Sequence, residues 1–254
     1  VAGLSIAYVP GVTPGKWLKR WQERYPNAPL KASRYDAPDP LALLRSGEAD
    51  LVFVRFPTGE APVDALTHVI RLYEELPVVC AAKEHDIELY EDEVPVEDLT
   101  GAAFLDLADY PEDIGGVAMA MEVVSSGAGL LIVPQSVARL HHRKDVVYRV
   151  LTGVPETSIG VAWKRPQGDD PDDLVIEEFV GIVRGRGENS SRQPSVQERQ
   201  QEEAIKARKK RQGGDAKAST GGAKGGKGGG FGSKSGSKGG PKRGPKPGGR
   251  TKKR

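Results

Sequence analysis

Apolar and polar positions alternate along the first 190 residues in two different rhythms. "GLSIAYVPG" is a short β-rich run closed by a Pro-Gly turn. After it, Trp17, Leu18, Trp21 and Tyr25 recur at spacings of three and four, the period of one helix face. Thr13 is placed to cap that helix, with Pro14 in its first turn. "PNAP" stops it, and "LKASRYD" alternates as a strand does. A second helix is predicted to begin at Asp39 with Pro40 at its first position and to end at Gly47. "DLVFVRF" then reads as a continuous apolar strand. Strands without a polar face, alternating with helices, predict an α/β fold whose parallel sheet is covered on both sides.

The rhythm changes after this unit. "THVIRLYEELPVVCAAKEH" reads as two strands or one bent strand, and "VPVEDLTGAAFLDLA" as a short helix and a strand. A helix is predicted from about Val117, then the strand "GLLIVP" and a helix over "PQSVARLHHRK". "DVVYRVL" and "TSIGVAW" are further strands, and "PDDLVIEEFVGIVRGR" is a closing amphipathic helix. The late strand and helix can return to the first unit, which predicts two lobes with a ligand cleft between them. We place lobe one at about 1–78 plus 159–187, and lobe two at about 79–158.

The glycines of "VVSSGAGLLIVPQSVA" decide between a phosphate loop and a turn. A phosphate loop needs a strand, then glycines, then a helix with a lysine behind it. Here the order is helix, glycines, strand, so Gly127 or Gly129 is predicted to turn the chain with positive φ.

Charge separates body from tail. Residues 1–203 hold 20 basic and 34 acidic side chains, whereas residues 204–254 hold 17 basic and one acidic. The segment from about Gln193 has almost no large apolar residues, and 188–254 is predicted to be a disordered Lys/Gly-rich tail. Lys242, Arg243, Lys246, Arg250, Lys252, Lys253 and Arg254 make it a candidate for non-specific nucleic-acid binding. Phe231 is the tail's one aromatic residue, so base stacking is not provided for.

Candidate chemistry narrows the picture further. Cys80, the one cysteine, sits in an apolar run and reads as a buried strand residue. His141 and His142 stand beside Arg143 and Lys144, a poor place for a metal ion. Ser125, Ser126 and Ser136 lack the G-x-S-x-G surroundings of a hydrolase nucleophile. No catalytic residue, metal or cofactor is assigned. No run is long enough to cross a membrane and no secretory leader is present, so the expected location is the cytoplasm.

Three segments carry a family resemblance. "GEADLVFVRFP", "VEDLTGAAFLDL" and "VVSSGAGLLIVPQSVA" resemble, in that order, segments of the effector domains of LysR-type transcriptional regulators. The resemblance spans roughly Leu4 to Val183. "ARLHHRKDVVYRV" and "EEFVGIVRGRGENSSR" are similar to stand-alone actinobacterial versions with a basic tail. It implies a two-lobed type 2 periplasmic-binding-protein-like fold around a small-molecule cleft, and a ligand-sensing rather than enzymatic role. The chain departs from that pattern in having no helix-turn-helix before the first strand, a shortened second lobe and the tail.

Ligands of such sheets sit beyond strand ends. The candidates are therefore Pro10, Gly11, Val12 and Thr13 after the first strand, and Arg55 and Phe56 after "DLVFV". Asp106, Leu107 and Ala108 are the second-lobe choice. The expected partners are a small-molecule effector, with carboxylates foremost, nucleic acid through the tail, and a second copy of the chain. The alternative function is a nucleic-acid-associated protein that binds polyanions through the tail.

Overall fold

The computed structural model describes residues 3–36, 39–62, 64–166, 171–187 and 189–215, with side chains left aside at 171–172 and 207–215. Strand β1 (Leu4–Tyr8) leads to helix α1 (Gly15–Arg24), and β2 (Leu30–Arg34) leads to α2 (Ala42–Ser46) and β3 (Leu51–Pro57). β1 lies between β2 and β3 and is parallel to both, as the apolar pattern predicted. Within β3, Leu51, Val52, Phe53 and Val54 are all fully buried. Leu51 and Phe53 face α1, where Trp17 stacks on Phe53 at 5.3 Å. Val52, Val54 and Phe56 face the α2 side with Leu41 and Leu44.

The next run resolves into two strands rather than one bent strand. β4 (Thr67–Glu75) belongs to the first sheet and β5 (Pro77–Ala82) to the second, with Leu76 alone between them. The second sheet is completed by β6 (Glu93–Pro95), β7 (Leu131–Pro134) and β8 (Val146–Thr152). Helix α3 (Gly116–Ser125) precedes β7 and α4 (Gln135–Leu140) follows it. The chain then crosses back as β9 (Thr157–Lys164), which enters the first sheet between β3 and β4, antiparallel to both. Helix α5 (Pro171–Val183) sends Phe179 and Ile182 into the core beside Trp21. The architecture is mixed α/β with two sheets of order β2-β1-β3-β9-β4 and β6-β8-β5-β7.

Several local expectations are corrected. Thr13 does not cap α1: Pro14 holds the capping position and no side chain bonds the helix amides. The second helix begins at Ala42, because the Asp39 carboxylate accepts the Leu41 amide at 3.0 Å and makes a turn first. The strand expected in "GAAFLDLA" is reduced to one parallel bridge, Phe104 to Leu130. Leu105 N–H does reach Leu130 O at 2.8 Å. Asp106 then accepts the Ala108 amide at 2.9 Å, and that turn takes the chain out of the sheet. Gly127 has φ +79° directly after α3, as predicted, whereas Gly129 does not share that conformation.

The chain from Gln193 also differs from the expectation of a non-globular segment. Helix α6 spans Pro194–Asp215, and Gln193 and Val196 are buried. The reason is Glu178 of α5. Its carboxylate accepts bonds from Tyr25 Oη at 2.9 Å, Gln193 Nε2 at 2.6 Å and the Ser195 amide at 2.6 Å. A buried carboxylate requires such donors, and this one holds the start of α6 on the first lobe.

Candidate functional site

A cleft of about 630 Å³ opens between the lobes, within the roughly 300–1,000 Å³ of small-molecule sites. Its first-lobe wall is Gly11 to Pro14 together with Tyr8, Arg34, Tyr73 and Glu75. Ser136, Arg139 and Leu140 at α4 supply the second-lobe wall.

Glu75 and Ser136 form the floor, and Arg55 lies behind them, outside the lining. Alternation along β3 puts residues 51, 53 and 55 on the α1 side and Phe56 on the other. The Arg55 guanidinium donates from Nε to Glu75 Oε2 at 2.6 Å and from Nη2 to Pro10 O at 2.9 Å and Ser136 Oγ at 3.1 Å. Ser136 Oγ donates in turn to Glu75 Oε1. Glu75 ends β4, one residue before β5, and Ser136 is the second residue of α4, so this knot ties the lobes at their joint. Nearby, the Gln135 amide donates to Leu76 O at 2.9 Å. Gly11, at φ +85°, lies so close to Ser136 that any Cβ would fall 2.5 Å from its hydroxyl.

The walls above the floor are more open. Burial, and then the Glu75 carboxylate, raise the Tyr73 phenol above its usual pKa, so it remains a hydroxyl donor. Arg34 stands about half exposed, with Asp36 at 3.6 Å from its Nε. Arg139 Nε donates to Tyr148 Oη at 3.4 Å. His141 lies below its ordinary pKa because of burial first and the Arg34 charge second.

The structure therefore brings together part of the expected set. Gly11, Val12 and Thr13 line the cleft, whereas Pro10 lies outside the lining, its carbonyl accepting from Arg55 behind the floor. Arg55 is present but already paired. Phe56 is corrected: it is buried in the core on the α2 side of the sheet. Asp106 and Leu107 are corrected too, for they line a separate cavity of about 360 Å³ with Phe104, Leu105 and Ile132. Ala108, whose amide Asp106 holds, is exposed beside that turn rather than in the cleft. The seven basic residues assigned from Lys242 to Arg254 lie outside the described residues.

Sequence reasoning missed Glu75, Ser136, Arg34, Arg139 and Tyr73. A signal for Ser136 existed. The strand-end rule selects Gln135 and Ser136 at "LLIVP", whereas at "AAFLDL" it leads to Asp106 and its neighbours. Cys80 is a buried strand residue whose thiol pKa burial pushes up to about 12, so it is no nucleophile near neutral pH. Among the described residues no group of His, Cys, Asp and Glu could hold a metal ion.

Residues 4–112 match the family described as the LysR substrate binding domain. Solved structures extend the likeness through the second lobe. The reduced OxyR regulatory domain from Pseudomonas aeruginosa is 19% identical, with TM-score 0.54 over 72% of this chain and 98% of that one. The BenM effector binding domain with its effector benzoate is 16% identical, with TM-score 0.55 over 75% and 96%. Full-length CbnR complexed with its target DNA is 17% identical, with TM-score 0.54 over 72% and 69%. At such identities these likenesses show the fold alone. No curated protein matches the chain. No helix of the described residues is long and apolar enough to cross a membrane.

Proposed function

We propose that the LysR-type body is a ligand-sensing regulatory domain whose effector sits in the cleft between the lobes. One observation carries this reading: Glu75 and Ser136 at the floor of the cleft belong to a hydrogen-bonded knot, closed behind them by Arg55 and drawn from both lobes. A molecule seated on it touches the joint, so occupancy and lobe angle are coupled. BenM, which shares the fold, takes the small carboxylate benzoate as its effector. The domain acts by binding without chemical turnover, in the cytoplasm, and a second copy of the chain is its expected partner.

The test is a thermal-unfolding screen of small metabolites on the full chain, repeated on a Thr13→Trp variant that fills the cleft. A ligand at 100 times its Kd stabilises the folded state by about 2.7 kcal/mol, a shift of several degrees. It is expected in the wild-type protein and absent in Thr13→Trp. Equal shifts in both would place the ligand elsewhere and overturn the reading.

A second role belongs to the basic segment. The 17 basic residues after Glu203 favour sequence-independent binding of nucleic acid. Fluorescence anisotropy compares the full chain with a variant carrying Gln at the seven basic positions from Lys242 to Arg254. The variant is expected to bind duplex DNA more weakly and with a shallower salt dependence. Identical curves would remove this role.

A further inference from the structure

Arg55, the cation behind the floor, offers little to a ligand. Its fork is filled by Glu75, Ser136 and the Pro10 carbonyl, so an internal carboxylate already stands where an effector's carboxylate would bind. The charged residues lining the cleft are Glu75, which Arg55 and Ser136 hold, and two cations, Arg34 and Arg139. They come from opposite lobes, Arg34 from the end of β2 and Arg139 from α4. Both line the same opening, so the first-lobe arginine and the second-lobe helix share one cleft. Asp36 approaches Arg34 at Nε, and Tyr148 meets Arg139 at Nε. The outer edge of each guanidinium is left for a further acceptor. Between the two arginines the walls are largely apolar, with Val12, Leu140 and the Tyr8 and Tyr73 rings.

This cationic pair stands in an acidic surrounding, since residues 1–203 carry 34 acidic against 20 basic side chains. Long-range attraction therefore does not explain an anion here. Short-range charge-assisted bonds do, because surface charges beyond about 8 Å are screened at physiological salt.

We propose that the cleft selects small dicarboxylates, one carboxylate taken by Arg34 of the first lobe and the other by Arg139 of the second. This rests on the reading of the cleft as the effector site. The ligand's apolar spacer lies along Leu140 and the tyrosine rings. A monoanion satisfies one arginine and leaves two like charges facing each other. A dianion neutralises both and draws the lobes together, which gives the ligand its preference for the closed form.

Isothermal titration of the full chain with the linear dicarboxylates from malonate to adipate tests the proposal, with butyrate, succinamide and sulfate as comparisons. At least one dicarboxylate is expected to bind saturably and more tightly than all three comparisons. Arg34→Gln and Arg139→Gln are each expected to weaken it by about tenfold or more, the loss of roughly one charge-assisted bond. Arg71→Gln, on exposed β4, is expected to bind as wild type does. Both arginines are exposed, and circular dichroism checks that the variants are folded. The proposal falls if no dicarboxylate binds, if a comparison compound binds as tightly, or if neither arginine variant weakens binding. Thr13→Trp separates the two levels of the argument. A neutral compound that binds the wild type and not Thr13→Trp leaves the cleft standing and removes the dicarboxylate. A dicarboxylate that binds Thr13→Trp undiminished removes the cleft itself.

Discussion

The two lobes bury their sheets by different means. The first packs large aromatic residues, with Trp17, Trp21, Phe53, Trp163 and Phe179 joined across α1, β3, β9 and α5. The second relies on small and flexible ones, such as Val78, Cys80, Ala120, Met121 and Val133. It leaves Phe104, Leu107, Met119 and Ile132 exposed, and the first lobe leaves Leu66, Tyr73 and Leu174. Large interlocking side chains fix a lobe as a rigid platform. The second lobe's core of smaller residues, packed under α3 and α4, interlocks less. The Arg55–Glu75–Ser136 knot stands where the two regimes meet.

Four measurements break or sharpen this contrast. Phe53→Ala is expected to lose about 4 kcal/mol in urea unfolding and Met121→Ala about 3. A loss at Met121 that equals or exceeds the loss at Phe53 would erase the difference between the cores. Next comes the joint. Glu75→Ala leaves Arg55 without its carboxylate, and a partly buried pair broken on one side costs about 3 kcal/mol. If unfolding is unchanged, the knot does not hold the lobes together. Third, Gly127→Ala is expected to cost about 1 kcal/mol. A Cβ there meets nothing within 4 Å, so the cost is one of backbone alone. A neutral result would show that the second lobe adjusts its turn freely.

The smallest effect concerns His141. Its folded-state pKa is depressed, by burial and then by Arg34, so folding prefers the neutral ring. The unfolded chain then binds more protons between the two pKa values, and stability rises with pH across that window. The contribution is complete above the ordinary pKa of about 6.5 and is lost as pH falls below it. His141→Gln should therefore flatten part of the loss of stability on acidification. A variant with an unaltered pH profile would show that His141 is solvated as in an unfolded chain.

The same contrast explains what was legible in the sequence. Leu51 to Val54 can only be a doubly covered strand, and Trp17 with Trp21 can only mark a buried helix face, because each pattern has one packing solution. In the second lobe "GAAFLDLA" has the composition of a strand, yet the Asp106 side chain turns it aside after one bridge. That decision is made by a single hydrogen bond. The cleft was half legible for a related reason. Gly11 to Thr13 follow β1, and the strand-end rule reaches them. Arg34 and Arg139 matter only because the two crossings swing β2 and α4 to face each other, and no local pattern encodes that meeting. Phe56 was assigned by position at a strand end without regard to the face on which it lies.

The placement of β9 has a consequence for a chain made from its N-terminus onward. β3 and β4 are both paired to β9, yet the whole second sheet is synthesised before it. As the polypeptide leaves the ribosome, the second lobe has all its strands while the first still carries two open edges, which are prone to faulty pairing. Only when Thr157–Lys164 emerges is the gap filled, and only with Ser195 does the Glu178 carboxylate gain its last donor. The lobe whose strands come first in this sequence is the last to be finished.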